Sequence, residues 1–172
     1  MDFPVINNEM TKIFTSYNQQ HPTAVARMVG SDETPNIRGE VLFYQLNDGV
    51  YVKAYIMGIP EVNSNGQPTK FHGFHIHEHG NCFQNGGDEP FPNTGNHFNP
   101  SNTEHPFHAG DLPSILSANG IGILSFFTNN FRVVDIIEKS VVLHENLDDF
   151  SSQPSGKSGK KIACGVIMPY HY

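Results

Sequence analysis

The sequence predicts an all-β fold, an antiparallel sandwich or barrel of eight short strands. Three observations carry that prediction. The 172 residues include 16 Gly and 12 Pro, a turn-rich composition better suited to short strands than to long helices. Runs rich in β-branched and aromatic residues recur along the chain, each bounded by Gly, Asn, Asp or Pro. No segment carries a convincing helical period. The mass of 19.1 kDa suits one domain with a core of ordinary size.

Residues 1 to 20, MDFPVINNEMTKIFTSYNQQ, are polar with isolated apolar positions, and they read as an extension or loosely docked arm ahead of a domain over 21–172. The strand signals then begin. TAVARMV (23–29), IRGEVLFYQL (37–46) and VYVKAYIMG (50–58) form a meander, with Asn47-Asp48-Gly49 as turn chemistry between the last two. Segments 73–77, 121–127, 133–137, 140–144 and 162–168 complete the eight. Between Gly80 and Gly120 about forty residues show neither period and are dense in Gly, Asn, Pro and His. An apolar core cannot organise such a stretch, so a metal ion and a disulfide are the available agents to offset its ordering entropy.

Charge and composition exclude several classes of function. Seventeen acidic residues against 10 Lys and Arg give a net charge of −7, which argues against a broad nucleic-acid-binding surface, so no nucleic acid is expected as a partner. No stretch approaches the ~20 apolar residues of a membrane-spanning helix, so no membrane partner is expected either. The N-terminus lacks a basic region followed by an apolar core. A cytoplasmic location is the expectation for the chain as it stands, and an extracytoplasmic one if it begins at a processed end. Two cysteines allow at most one disulfide and exclude a Cys₄ zinc module, so any metal chemistry falls to the 10 histidines.

In GFHIHEHG, His75 and His77 are two apart, so on a strand both imidazoles project from one face. Alone, such a pair is as readily a solvated strand face as a metal site. Downstream, GNHFNPSNTEHPFHAGD brings His97, His105, His108 and Asp111 into one loop with spacings of 8, 3 and 3. Three imidazoles with one carboxylate make a closed tetrahedral zinc set, because Zn²⁺ accepts nitrogen and oxygen donors alike. VVLHENLDD puts His144 at the end of another apolar strand, where it could complete a site around His75 and His77.

The motifs GFHIHEHGNC, GNHFNPSNTEH, HAGDLP, VVLHENLDDF, PSGKSG and ACGVI resemble those of the copper, zinc superoxide dismutase family, in the family's order and over about residues 23 to 167. The resemblance implies an eight-stranded antiparallel Greek-key β-barrel with long metal-binding and electrostatic loops. It implies copper bound by His75, His77, His97 and His144, and zinc bound by His97, His105, His108 and Asp111, with His97 bridging the two as imidazolate. It implies that Asp148 accepts hydrogen bonds from His75 and His105, and that Cys82 and Cys164 form a disulfide. Superoxide would be the substrate and O₂ and H₂O₂ the products, with His97 as ligand and proton carrier. The family includes dimers and monomers, so a homodimer stays open.

One position departs from the family pattern. Where the family carries an arginine three residues before the second cysteine, this chain has Lys161. A lysine keeps the charge but loses the planar fork, so retained activity with poorer anion positioning is expected. The −7 charge repels an anionic substrate, which leaves Lys157, Lys160 and Lys161 as candidates for a local positive potential. Asp149 and Glu145 read as solvent-exposed acids, His79 as a rim or surface residue, and His21, His72 and His171 as structural or surface. The alternative function is a non-catalytic copper or zinc module of the same fold, against which the complete histidine set argues. A zinc hydrolase would need an open zinc position and a general base beside it, and no such motif is present.

Overall fold

The computed structural model describes residues 21–171; the expected N-terminal extension lies outside the described residues. Nine strands occur among them: β1 (Ala24–Gly30), β2 (Arg38–Leu46), β3 (Gly49–Met57), β4 (Phe71–His72), β5 (Phe74–His77), β6 (Ile115–Ala118), β7 (Ile121–Thr128), β8 (Ser140–His144) and β9 (Lys161–Pro169). All pair antiparallel in the order β4-β6-β7-β3-β2-β1-β9-β8-β5. The two strands at the ends of this order are separated only by Gly73 in the chain. Segment 71–77 therefore pairs with β6 through its first half and with β8 through its second, and the sheet closes into a barrel. The connections from β3 to β4 and from β7 to β8 cross between distant strands, as in a Greek key.

The interior follows from period-2 patterning. Val50, Val52, Ala54 and Ile56 alternate inward along β3, and Ala24, Ala26 and Met28 do so along β1, to meet Phe43, Phe74, Ile76 and Ile167 in one core. Each large side chain removed from water in this way contributes about 1.5–3 kcal/mol of transfer free energy.

Two sequence expectations are corrected. Segment 133–137 is no strand: Val133–Ile136 form a short helix, α1, in which Val133 and Ile136 are buried three apart and Val134 is 67% exposed. Asp135 Oδ2 accepts the Arg132 backbone N–H at 2.9 Å and holds the first turn. Five residues with four apolar positions fit either period, so the sequence alone could not separate them. The expectation of eight strands also missed β6, inside the stretch read as irregular, and the two-residue β4. Both are too short to show alternation.

Candidate metal centre

β5 is an edge strand of the ladder, and the long loop satisfies its free edge. Ile76 N–H donates to Gly110 O (2.8 Å), Phe98 N–H to Ile76 O (2.8 Å) and Glu78 N–H to Asn96 O (3.0 Å). These bonds lay the loop antiparallel to β5 and set His97 opposite His77, and Asp111 opposite His75. His144 ends β8 at a register shift between Leu143 and His144, an irregularity of the kind that re-aims a side chain next to a site. Gln153 clamps the backbone of His105 from both sides, accepting its N–H at 3.1 Å and donating to its carbonyl at 2.7 Å. The Cys82–Cys164 disulfide, across a sequence separation of 82, ties the start of the loop to β9.

Seven residues converge in two groups of four, His75, His77, His97 and His144, and His97, His105, His108 and Asp111; within each, the ligand atoms lie within 4.8 Å of one another. His97 belongs to both. One nitrogen of five of these imidazoles is spoken for: His75 Nε2 donates to Asp148 Oδ2 (2.7 Å), His105 Nε2 to Asp148 Oδ1 (2.9 Å), His77 Nδ1 to Gly95 O (2.9 Å), His144 Nδ1 to Gly159 O (3.1 Å) and His97 Nδ1 to Asp111 Oδ1 (2.7 Å). Those bonds set tautomer and ring orientation. What remains is a set of buried nitrogens without a hydrogen bond: Nδ1 of His75, His105 and His108, and Nε2 of His77, His97 and His144. His105 Nδ1 and His108 Nδ1 sit 3.1 and 3.3 Å from Asp111 Oδ2 without hydrogen-bond alignment. Such spacings match the edge of a tetrahedron whose metal bonds are about 2.0–2.1 Å.

Electrostatics agrees with a cation-binding set. Burial, then the neighbouring His144 and His97, push the imidazoles of His75 and His77 well below their ordinary range, and burial pushes His144 down to about 4. Neutral rings keep lone pairs free. Burial alone would raise Asp111, yet the His97 hydrogen bond and the surrounding imidazoles bring its carboxyl below the usual value, so it stays an anionic donor. Buried nitrogens left without partners are costly, and a cation between them is the chemistry that relieves the cost. The residues fit copper and zinc.

Residues 37–167 match the family model described as Copper/zinc superoxide dismutase (SODC). The chain belongs to that family. The "Superoxide dismutase [Cu-Zn] 2" of Aquifex aeolicus (strain VF5) is 32% identical over 154 residues, covering 78% of this chain and 84% of its own. The "Superoxide dismutase [Cu-Zn]" of Deinococcus radiodurans is 32% identical over 166 residues, covering 86% and 85%. Among solved structures, a double mutant of a SOD-like protein from Bacillus subtilis superposes with a TM-score of 0.68 at 26% identity, covering 84% of this chain and 96% of that one.

In this superoxide dismutase family member three imidazoles of the four-histidine group, His77, His97 and His144, open on a cleft of about 530 Å³ whose walls also include Glu78, Glu89 and Lys161. Lys161 is only 13% exposed in its side chain, and its Nζ donates to Glu89 Oε1 (3.3 Å) and to Phe91 O (3.4 Å). The other two candidate cations lie elsewhere: Lys160 pairs with Glu33 at 3.1 Å, and exposed Lys157 is not among the residues lining the cleft. Glu145 is a correction. Expected on the surface, it is buried, and its carboxylate accepts the backbone N–H groups of Ser64 (3.0 Å) and Lys160 (3.2 Å), joining two loops beside His144. Asp149 and His79 are exposed, and His72 is buried, its Nδ1 donating to His144 O at 3.0 Å. Sequence reasoning missed Gly156, whose φ of +67° and contact with Asp148 leave no room for a side chain under the carboxylate that holds His75 and His105. A Gly in PSGKSG was visible, but not what it faces.

Proposed function

We propose that this chain dismutates superoxide, turning two anions and two protons into O₂ and H₂O₂. Copper would be held by Nδ1 of His75 and Nε2 of His77, His97 and His144, and zinc by Nδ1 of His105 and His108, a carboxylate oxygen of Asp111, and Nδ1 of His97 in exchange for the proton it shares with Asp111 Oδ1. When bound, copper supplies the one-electron cycling that dismutation needs, which d¹⁰ zinc cannot supply. His97 carries the link between the sites, and its Nε2 is the atom that can hold a proton at the cleft and release it to reduced oxygen. Asp148 holds one imidazole of each group at fixed orientation. Lys161 is the cation that draws the anion to the cleft wall. The catalytic unit is the domain over 21–172, to which residues 1–20 are an extension.

What supports this reading over a non-catalytic metal module is that all four imidazoles of the redox-capable group are present, each with its nitrogen left open inward. The test is superoxide dismutation assayed in metal-free, zinc-only and copper-plus-zinc protein with metal content measured in parallel. Activity is expected only where copper is bound. A protein carrying a full complement of both metals and no activity would make it a binding module instead.

A further inference from the structure

The outward positions of a barrel strand ordinarily meet water while the alternate positions fill the core. One line across the outside of this barrel departs from that pattern. Tyr44 of β2 stands opposite Tyr51 of β3, with ring centroids 6.2 Å apart, and Tyr51 stands opposite Phe127 of β7. Their neighbours Phe43, Val50 and Val52 are buried in the core, so the three rings face outward. Thr23, just ahead of β1, continues the line. Its N–H donates to Phe43 O (2.7 Å) and its Oγ1 accepts from Gln45 N–H (3.0 Å), on either side of Tyr44. Tyr44 is only 7% exposed all the same, whereas Tyr55 and Met57, outward further along β3, are 38% and 61% exposed. The shielded end of the wall is the end at which residues 1–20 join the barrel.

We infer that residues 1–20 lie over this aromatic line, so that the barrel carries its own N-terminal segment against its outer wall. Place, length, composition and charge select this occupant. The segment is tethered at Thr23, beside Tyr44, which gives it an effective concentration that no separate molecule has. From Thr23 across β2 and β3 to β7 is three strand spacings, about 14 Å, and the segment spans that distance even at the ~1.5 Å per residue of a helix. A tail that stays in water is rich in charge and poor in aromatics. This one has three charged residues, Asp2, Glu9 and Lys12, and carries Phe3, Ile6, Met10, Ile13, Phe14 and Tyr17. On the wall, β3 presents a single charge, Lys53, and β7 presents none, so the segment's two acids meet no acid there. The contact lies outside the metal cleft, which none of Tyr44, Tyr51 and Phe127 lines, and it does not depend on the proposed activity.

The experiment is limited trypsin digestion of the full chain, followed by mass spectrometry. Lys12 is the one tryptic site in residues 1–20, so loss of residues 1–12 reports how often the segment leaves the wall. The reference is a synthetic peptide of residues 1–20. Cleavage after Lys12 is expected to be at least about 10-fold slower in the chain than in the peptide, which corresponds to an undocked fraction of about a tenth or less. Phe14→Ser and, independently, Tyr51→Ser, each checked for its fold by circular dichroism, are expected to bring the rate close to that of the peptide. Ile121→Ser, 54% exposed at the far end of β7, is expected to leave it unchanged. Cleavage of the wild type at the peptide's rate overturns the inference. So does either folded variant, Phe14→Ser or Tyr51→Ser, that is cut as slowly as the wild type, or an Ile121→Ser variant cut as fast as the peptide. Protection that fades on dilution also overturns it, because the segment then covers a second copy rather than its own barrel.

Discussion

Asp148 contributes no donor atom to either metal group, yet each of its oxygens accepts from one of them, His75 on one side and His105 on the other. Removing it frees both rings to rotate and to move their protons onto the metal-facing Nδ1 atoms. Asp148→Ala is therefore expected to weaken metal binding at both groups by about 10–100-fold, read by chelator competition for each metal. Loss at one group alone would show that the carboxylate acts on a single ring. Lys161 acts at the same scale through its charge. Its ammonium is already engaged by Glu89, an exposed partner whose pairing is worth at most about 1 kcal/mol. Lys161→Arg offers a rigid fork that can hold Glu89 and an incoming anion together. Activity of the copper-loaded protein and its affinity for azide are both expected to rise, with a changed dependence on salt. If neither activity nor salt dependence moves, Lys161 has no part in anion capture.

The long loop between β5 and β6 is the element that turns a barrel into a metal centre. Its histidines and its lack of period were legible in the sequence, and so was the need for an ordering agent. The hydrogen bonds that lay the loop along β5 were not, because they join backbone to backbone and restrict residue type only at Gly110, where a Cβ would run into Ile76 O and Phe98 N. Helix α1 was misread for the related reason that a run of five apolar-rich residues supports either period. Glu145 looked like a loop acid because its partners, the Ser64 and Lys160 amides, come from separate loops. The metal donors were legible because their chemistry restricts each position to a few residue types. At the scale of the element, the Cys82–Cys164 bond constrains a closed loop spanning 82 residues of separation, nominally worth about 4 kcal/mol in the chain-entropy description. Cys82→Ser with Cys164→Ser is expected to lower the stability of the metal-free protein by 2–5 kcal/mol in urea unfolding, with metal binding weakened because the loop's start is released from β9. Unchanged stability would mean that the pairing along β5 already orders the loop.

Across the whole molecule, the buried histidines couple stability to acidity. In the folded, metal-free protein His144 titrates at about 4, against 6.5 for an ordinary imidazole, because burial disfavours its charged form. As pH falls, the unfolded chain takes up this proton first, so the His144 contribution to stability is complete above pH 6.5 and is lost progressively down to about pH 4. His144 alone then removes about 2 kcal/mol by pH 5 relative to neutral pH. His75 and His77 are shifted in the same direction by the same cause and add to the loss. The carboxylates of Asp111 and Glu145, held below their ordinary values, act in the same sense only at lower pH, because their stabilising charge persists until they protonate. Urea unfolding of metal-free protein between pH 7.5 and 5 is thus expected to show the midpoint falling steadily with acid, at unchanged cooperativity. A flat profile over that range would mean that the imidazoles are solvated rather than buried and neutral when no metal is bound, and the two donor groups would then be assembled by the metals instead of waiting for them.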